Sequence, residues 1–431
     1  MAHPLNLETS PPRTSMLAGL HPTGFVRIAS LLATAFALTL LVSGERAVAI
    51  DPPASESPRP GDPVQSTGLG ETGEPTALIA PPPELRDWPQ LTSPTPSIQV
   101  FMWWQLDAAI RDVDLVRDMG FGWVKQRIAW RDVEPIEKGG YDWFRPDFIT
   151  ELVEHKGVDL IVLLDHQPQW AQADPSDLLS NSPPANYQDF GDFCNAFAAR
   201  YRGRVAAYQV WNEPNLAREW GSQPPSPADY ARLLRVCSEG IKAADPDAIV
   251  ISAGLAPTGT DDPARAMPDE QFLREMYAAG AQPYFDMLGL NAPGYFAPPW
   301  ASPDVVEAKL ELGGNRWASF RHVEDMRAIM EEFDDPAKQI AILEMGWTTD
   351  PIHDEYRWFA VDEETQAKYL VGAYKWAMEN WQPWIGLMNT IYIADPDWTE
   401  DREEYWWAVT FPGWPEPVLR PAYYALQAME K

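Results

Sequence analysis

Positive charge is scarce in this 431-residue chain: 33 Lys and Arg stand against 63 Asp and Glu, a formal net charge of −30. Such a surface repels phosphates, which argues against nucleic acid as a partner and against an anionic membrane surface. Cysteine is scarcer still. Two residues cannot build a disulfide scaffold or a cysteine zinc cluster. The six histidines are scattered and form no H-E-x-x-H pair, so the common metal-hydrolase pattern is missing. No metal and no organic cofactor is expected. Long apolar runs are rare as well: Ile28 to Ser43 is the one that stands out. What the chain does have is tryptophan, twenty of them. That residue either packs a core or offers a flat face to a ligand, and uncharged, ring-shaped partners suit it.

The apolar run follows Arg27 and precedes Ala47-Val48-Ala49, a small-x-small site of the kind cut after export. It is shorter than the about 20 residues of a membrane-spanning helix. Residues 1–49 therefore read as an export signal or, if uncleaved, a membrane anchor. Either places the rest of the chain at an extracellular or cell-surface location, with membrane attachment only through this N-terminal segment. Residues 50–97 are rich in Pro, Ser, Gly and Thr, as in Pro81-Pro82-Pro83 and Ser93-Pro94-Thr95-Pro96. This composition predicts an extended, disordered linker. The folded domain is expected over 98–431.

Within that domain short apolar runs alternate with longer helix-period segments, the signature of βαβ units and a parallel sheet. Eight strands are predicted, at 98–103, 123–128, 159–164, 206–211, 248–253, 285–290, 339–343 and 385–391. Helices are predicted between them, among others over 107–119, 187–201, 227–244, 269–279, 323–333 and 363–380. Eight parallel strands with helices in this length predict an α/β fold, a (β/α)8 TIM barrel. An open doubly wound sheet is the rival, but no Gly-rich nucleotide turn follows the first strand. A barrel places its chemistry just after the strand ends, on the C-terminal face.

Two glutamates meet that demand. The fourth strand runs into Trp211-Asn212-Glu213-Pro214-Asn215, and the seventh into Leu343-Glu344-Met345-Gly346-Trp347. Strands four and seven face one another across a barrel mouth. Paired carboxylates there suit glycoside hydrolysis, which needs one proton donor to the leaving oxygen and one nucleophile or base opposite.

At these residues the sequence resembles clan A glycoside hydrolases, the retaining barrel enzymes that include families 5 and 39. The resemblance covers most of residues 98–431. Trp211-Asn212-Glu213-Pro214 looks like the clan's strand-four motif, which is specific. It implies that Glu213 is the acid/base and that Asn212 contacts the substrate 2-hydroxyl. Glu344 and the following Trp347 resemble the strand-seven nucleophile and its aromatic neighbour. Trp130, Glu134-Pro135 and Tyr141-Asp142-Trp143 lie in register with the clan's second-strand segment, and Trp130 joins the candidate substrate contacts on that ground. Pro168-Gln169-Trp170 and Arg420–Leu426 are weaker likenesses. Two departures stand out. Where the clan has an Arg orienting the nucleophile, this chain has Lys125, with Arg127 two residues on. Where the clan has a His after strand six, it has Asn291. Tyr295 nearby is the expected donor to Glu344.

The implied activity is a retaining β-glycosidase that cleaves O-glycosidic bonds of a poly- or oligosaccharide by double displacement on Glu213 and Glu344. The alternative is a non-catalytic, surface-attached barrel that only binds glycan. Trp170 and Trp347 either pack the barrel mouth or offer a stacking face to a sugar. His166, after strand three, either contacts a sugar hydroxyl or is a satisfied structural histidine. Cys194 and Cys237 fall in consecutive predicted helices, where they form either a disulfide, as an exported protein allows, or two buried thiols.

Overall fold

The computed structural model describes residues 90–173 and 181–431. The expected signal at 1–49 and most of the expected linker lie outside the described residues. Eight strands close into one parallel barrel. They are β1 (Thr95–Gln99), β2 (Trp123–Ala129), β3 (Asp159–Asp165), β4 (Ala207–Val210), β5 (Ile249–Ile251), β6 (Met287–Pro293), β7 (Gln339–Gly346) and β8 (Ile385–Thr390). Each pairs with the next, and β8 returns to β1 with Thr95 opposite Leu387 and Ile98 opposite Thr390. All eight predicted strands are therefore present.

Several ends differ by a few residues, as where β1 stops at Gln99 and β6 and β7 run on to Pro293 and Gly346, and one difference moves the domain boundary. β1 begins at Thr95, so residues 95–97 belong to the barrel, not to the preceding Pro-rich segment. Proline content hides the strand in the sequence, yet its polar side chains are used. Ser97 Oγ lies 2.8 Å from Asn389 Oδ1 across the seam with β8. Leu91 exchanges two hydrogen bonds with the Gln339 side chain, at 2.8 and 3.1 Å.

The main helices are α1 (Leu106–Asp118), α2 (Phe144–Lys156), α3 (Tyr187–Arg200), α4 (Pro227–Ala244), α5 (Asp269–Ala278), α6 (Val323–Glu332), α7 (Glu363–Asn380) and α8 (Pro421–Ala428). Their starts follow local chemistry. Ser226 Oγ accepts from Asp229 N ahead of Pro227, and Asp362 accepts from Thr365 N, satisfying backbone donors that the first turn leaves over. Among the described residues no helix is long and apolar enough to cross a membrane.

The strands are buried on both faces, as parallel strands between helices must be. Ile161, Ala207, Ile251, Met287, Ala341 and Leu343 fill the barrel interior. The alternate residues, such as Leu160, Val162, Ile340 and Ile342, pack outward against the helices. Cys194 and Cys237 form a disulfide between α3 and α4. These two helices approach closely: a Cβ at Gly240 would stand 2.4 Å from Gly191 O.

Candidate active site

The site forms where β4, β6 and β7 end. The chain leaves β4 through Trp211 and Glu213 in the left-handed region, with φ of +72° and +41°. Non-glycine residues adopt that conformation at an energetic cost, and such costs concentrate at functional sites. The surroundings enforce it. Glu213 N donates to Gly254 O at 3.1 Å, and the Asn215 side chain exchanges bonds with the Ala256 backbone at 2.9 and 3.0 Å. The buried Trp211 indole donates to Glu219 O at 2.9 Å.

Glu344 reaches the same place through a break in register. β7 shifts against both neighbours around this point, so that Asn291 pairs with Glu344 while Leu290 pairs with Ile342. A bulge of this kind re-aims side chains. Leu343 still fills the interior, and Glu344 after it turns to the barrel mouth instead of the helix layer.

Each glutamate has its own buried polar neighbour. Lys125, wholly buried on β2, donates from Nζ to Leu343 O at 2.9 Å and stands 3.5 Å from Glu344 Oε1. Burial pulls its pKa below that of an ordinary lysine, and the Glu344 carboxylate opposes that shift. Asn291, beside Glu344 in the sheet, donates from Nδ2 to Glu213 Oε1 at 2.9 Å. The Asn291 amide fits because residue 254 is glycine: a Cβ there would stand 2.2 Å from Asn291 Oδ1. Lys125 and Asn291 thus contact the nucleophile and acid/base candidates respectively. Arg127, the other candidate on β2, pairs with Asp165 at 3.1 Å instead.

Burial drives Glu213 upward to a pKa of about 7; Arg218 opposes the shift, and the Glu344 and Glu219 charges add to it. The carboxyl is 1% exposed and Glu344 is 6% exposed. Two carboxyl groups that feel each other, one of them protonated near neutrality, make an acid and a nucleophile.

Several expected contacts are elsewhere. Tyr295 does not donate to Glu344; its hydroxyl donates to Pro257 O at 3.2 Å, because the chain around it also takes a left-handed turn. Trp130 is fully buried, stacked on Phe193 with its indole N–H on Glu134 Oε2. It is core, not a sugar face. Trp347 is also fully buried. Its indole donates to Ala297 O at 2.9 Å, and its ring lies so close to Gly294 that a Cβ there would meet it at 1.7 Å. Trp170 is half-buried, edge-on to Trp130, and donates to Glu134 O at 2.8 Å. Asn212 is buried, with Gln209 Nε2 3.4 Å from its Oδ1. His166 Nδ1 lies 2.7 Å from Asp165 Oδ1, the arrangement of a structural histidine.

Two further residues belong to the site. Arg218 Nη2 pairs with Glu213 Oε2 at 2.9 Å. Tyr392, just after β8, lies near Glu344: burial raises its pKa well above the ordinary value and the Glu344 charge adds to this. It packs against Phe101 and Trp398. Tyr392 had a legible signal, an aromatic residue at a strand end. Arg218 had none, since a charged residue in a loop reads as surface.

No family profile and no curated protein matches the chain. Solved structures do share its fold, and these neighbours are clan A glycoside hydrolases. A family 39 glycoside hydrolase from the gut symbiont Bacteroides cellulosilyticus WH2 is 18% identical with a TM-score of 0.56, over 78% of this chain and 63% of that one. A family 5, subfamily 18 glycoside hydrolase from Streptomyces cattleya, in complex with GlcNAc, is 14% identical with a TM-score of 0.53, over 78% and 79%. A glucosidase from Croceicoccus marinus is 11% identical with a TM-score of 0.51, over 73% and 62%. The chain thus spans about three-fifths of the first and the last of these. At such identities the likeness is one of fold.

Proposed function

We propose that the chain is a retaining β-glycosidase acting on a poly- or oligosaccharide. The observation that carries this is the pair Glu213 and Glu344, the first just after β4 and the second near the end of β7, with Lys125 against Glu344 and Asn291 against Glu213. The carboxylate of Glu344 attacks the anomeric carbon, forming a glycosyl ester as the glycosidic C–O bond breaks. The leaving oxygen takes the proton of Glu213. Water then attacks the same carbon, gives its proton to Glu213 and expels the Glu344 carboxylate. The sequence of steps needs no metal and no organic cofactor. Lys125 neutralises part of the Glu344 charge and fixes its orientation. Asn212 is the proposed contact to the 2-hydroxyl, and Trp170 a proposed edge of the sugar site.

The glycoside hydrolases that share the fold support this reading. Lys125 and Asn291, the two departures from the clan pattern, each contact one of the two carboxyl groups, which favours catalysis over glycan binding alone. An extracellular or cell-surface location is part of the proposal. The disulfide between α3 and α4 supports it, because such bonds persist in oxidising compartments.

A panel of aryl β-glycosides tests the activity, with the anomer first released read by NMR. Retention of configuration is expected. Glu344→Ala should abolish turnover, and azide should restore it as a glycosyl azide. Full activity in that variant, or inversion by the wild type, refutes the mechanism.

A further inference from the structure

Both carboxyl oxygens of Glu213 are occupied, and by different kinds of group. Oε1 accepts from Asn291 Nδ2 at 2.9 Å, from within the barrel. Oε2 faces Arg218, whose Nη2 is 2.9 Å away and whose side chain is 31% exposed. The arginine sits in a tight turn over Ala217–Glu219. Trp211 holds that turn at Glu219 O, and Asn181 Nδ2 donates to Glu219 Oε2 at 2.9 Å. Glu219 Oε1 in turn stands 3.6 Å from Arg218 Nε. A second, fixed carboxylate is therefore beside the same guanidinium.

We propose that Arg218 is a positioning residue for Glu213, seating Oε2 between turnovers and passing to Glu219 when a glycosidic oxygen takes its place. The inference rests on Glu213 being the proton donor. The two oxygens are then unequal. Oε1 is committed to Asn291, and Oε2, on the more exposed side, gives and recovers the proton. A guanidinium donating into Oε2 favours the carboxylate. Its withdrawal restores proton affinity when the leaving oxygen arrives.

The charged and titratable groups facing Glu213 are Arg218 and Glu219 from its own loop, Glu344 from β7, Lys125 from β2, Tyr295 after β6 and Tyr356 after β7. Burial raises Glu213 most, and Arg218 is the foremost group lowering it. Removing Arg218 must therefore raise it further.

The test compares Arg218→Gln and Arg218→Lys with the wild type. Carboxyl carbon NMR, with Glu213 assigned through Glu213→Gln, reads the titration without turnover. The midpoint should rise by about one pH unit in Arg218→Gln and stay near the wild-type value in Arg218→Lys. The alkaline limb of kcat/KM on an aryl glycoside should move the same way, with kcat lowered about tenfold. An unmoved midpoint in Arg218→Gln overturns the proposal, as does a fall in kcat at every pH with the limb fixed. A midpoint that shifts in Arg218→Gln while the wild type shows no turnover refutes the glycosidase reading alone. An unmoved midpoint in an active enzyme refutes this inference alone.

Discussion

Glu213 titrates at about 7 in the folded chain, against 4.5 for the free carboxyl. Folding thus prefers its protonated form. The stabilisation is complete below about pH 4.5 and is lost as pH rises toward 7, at about 1.4 kcal/mol per pH unit between those limits. Glu213→Gln removes that titration. Its melting temperature relative to wild type should climb between pH 4.5 and 7 and level off above, as followed by circular dichroism. A difference that stays flat across this range would contradict the raised pKa. At this scale the motif residues were legible, because a carboxylate placed after an apolar strand is visible in sequence. Their partners were not. Lys125 and Asn291 entered as departures from a pattern, and only the contacts to Glu344 and Glu213 give those departures a purpose. Trp130 and Trp347 show the opposite error: an aromatic residue near a motif gives no sign of which way its ring faces.

Among the elements, α4 and α7 begin and end where the sequence places them, since cap, amphipathic period and stop agree. β1 starts earlier than expected, because proline content outweighed the local apolar pattern. The contact of α3 with α4 joins helix packing to covalent chemistry. Gly191 and Gly240 let the backbones touch, and the Cys194–Cys237 bond closes a loop with a sequence separation of 43. Replacing both cysteines with alanine frees that loop in the unfolded chain and should cost about 2–4 kcal/mol. Urea unfolding measures it; an unchanged midpoint would leave the bond without a stabilising part. The same helices follow β3 and β4, so loosening them is expected to disturb the loop that bears Glu213.

For the molecule as a whole, closure is the decisive step. A barrel has no free edge only if its first and last strands meet, and here β1 joins β8 across four residue pairs. A chain begun at Gln90 keeps β1 and the Leu91 contact to Gln339, and should melt in one cooperative transition. A chain begun at Val100 lacks β1, exposes the edges of β2 and β8, and should aggregate or melt without cooperativity. Calorimetry separates the two outcomes. Cooperative folding of the shorter chain would mean the seam is dispensable. The net charge of −30 acts at this scale too, because a surface of that sign repels phosphate-bearing polymers.

Strand and helix order, the eightfold repeat and the two strand-end glutamates were determined by the sequence alone, since periodicity and punctuation are local properties of a chain. Which side chains touch was decided by the tertiary structure. The β7 bulge turns Glu344 to the mouth, Gly254 leaves room for Asn291, and the Ala217–Glu219 turn carries Arg218 onto Glu213. Each depends on distances between segments far apart in the chain, and no local pattern encodes these.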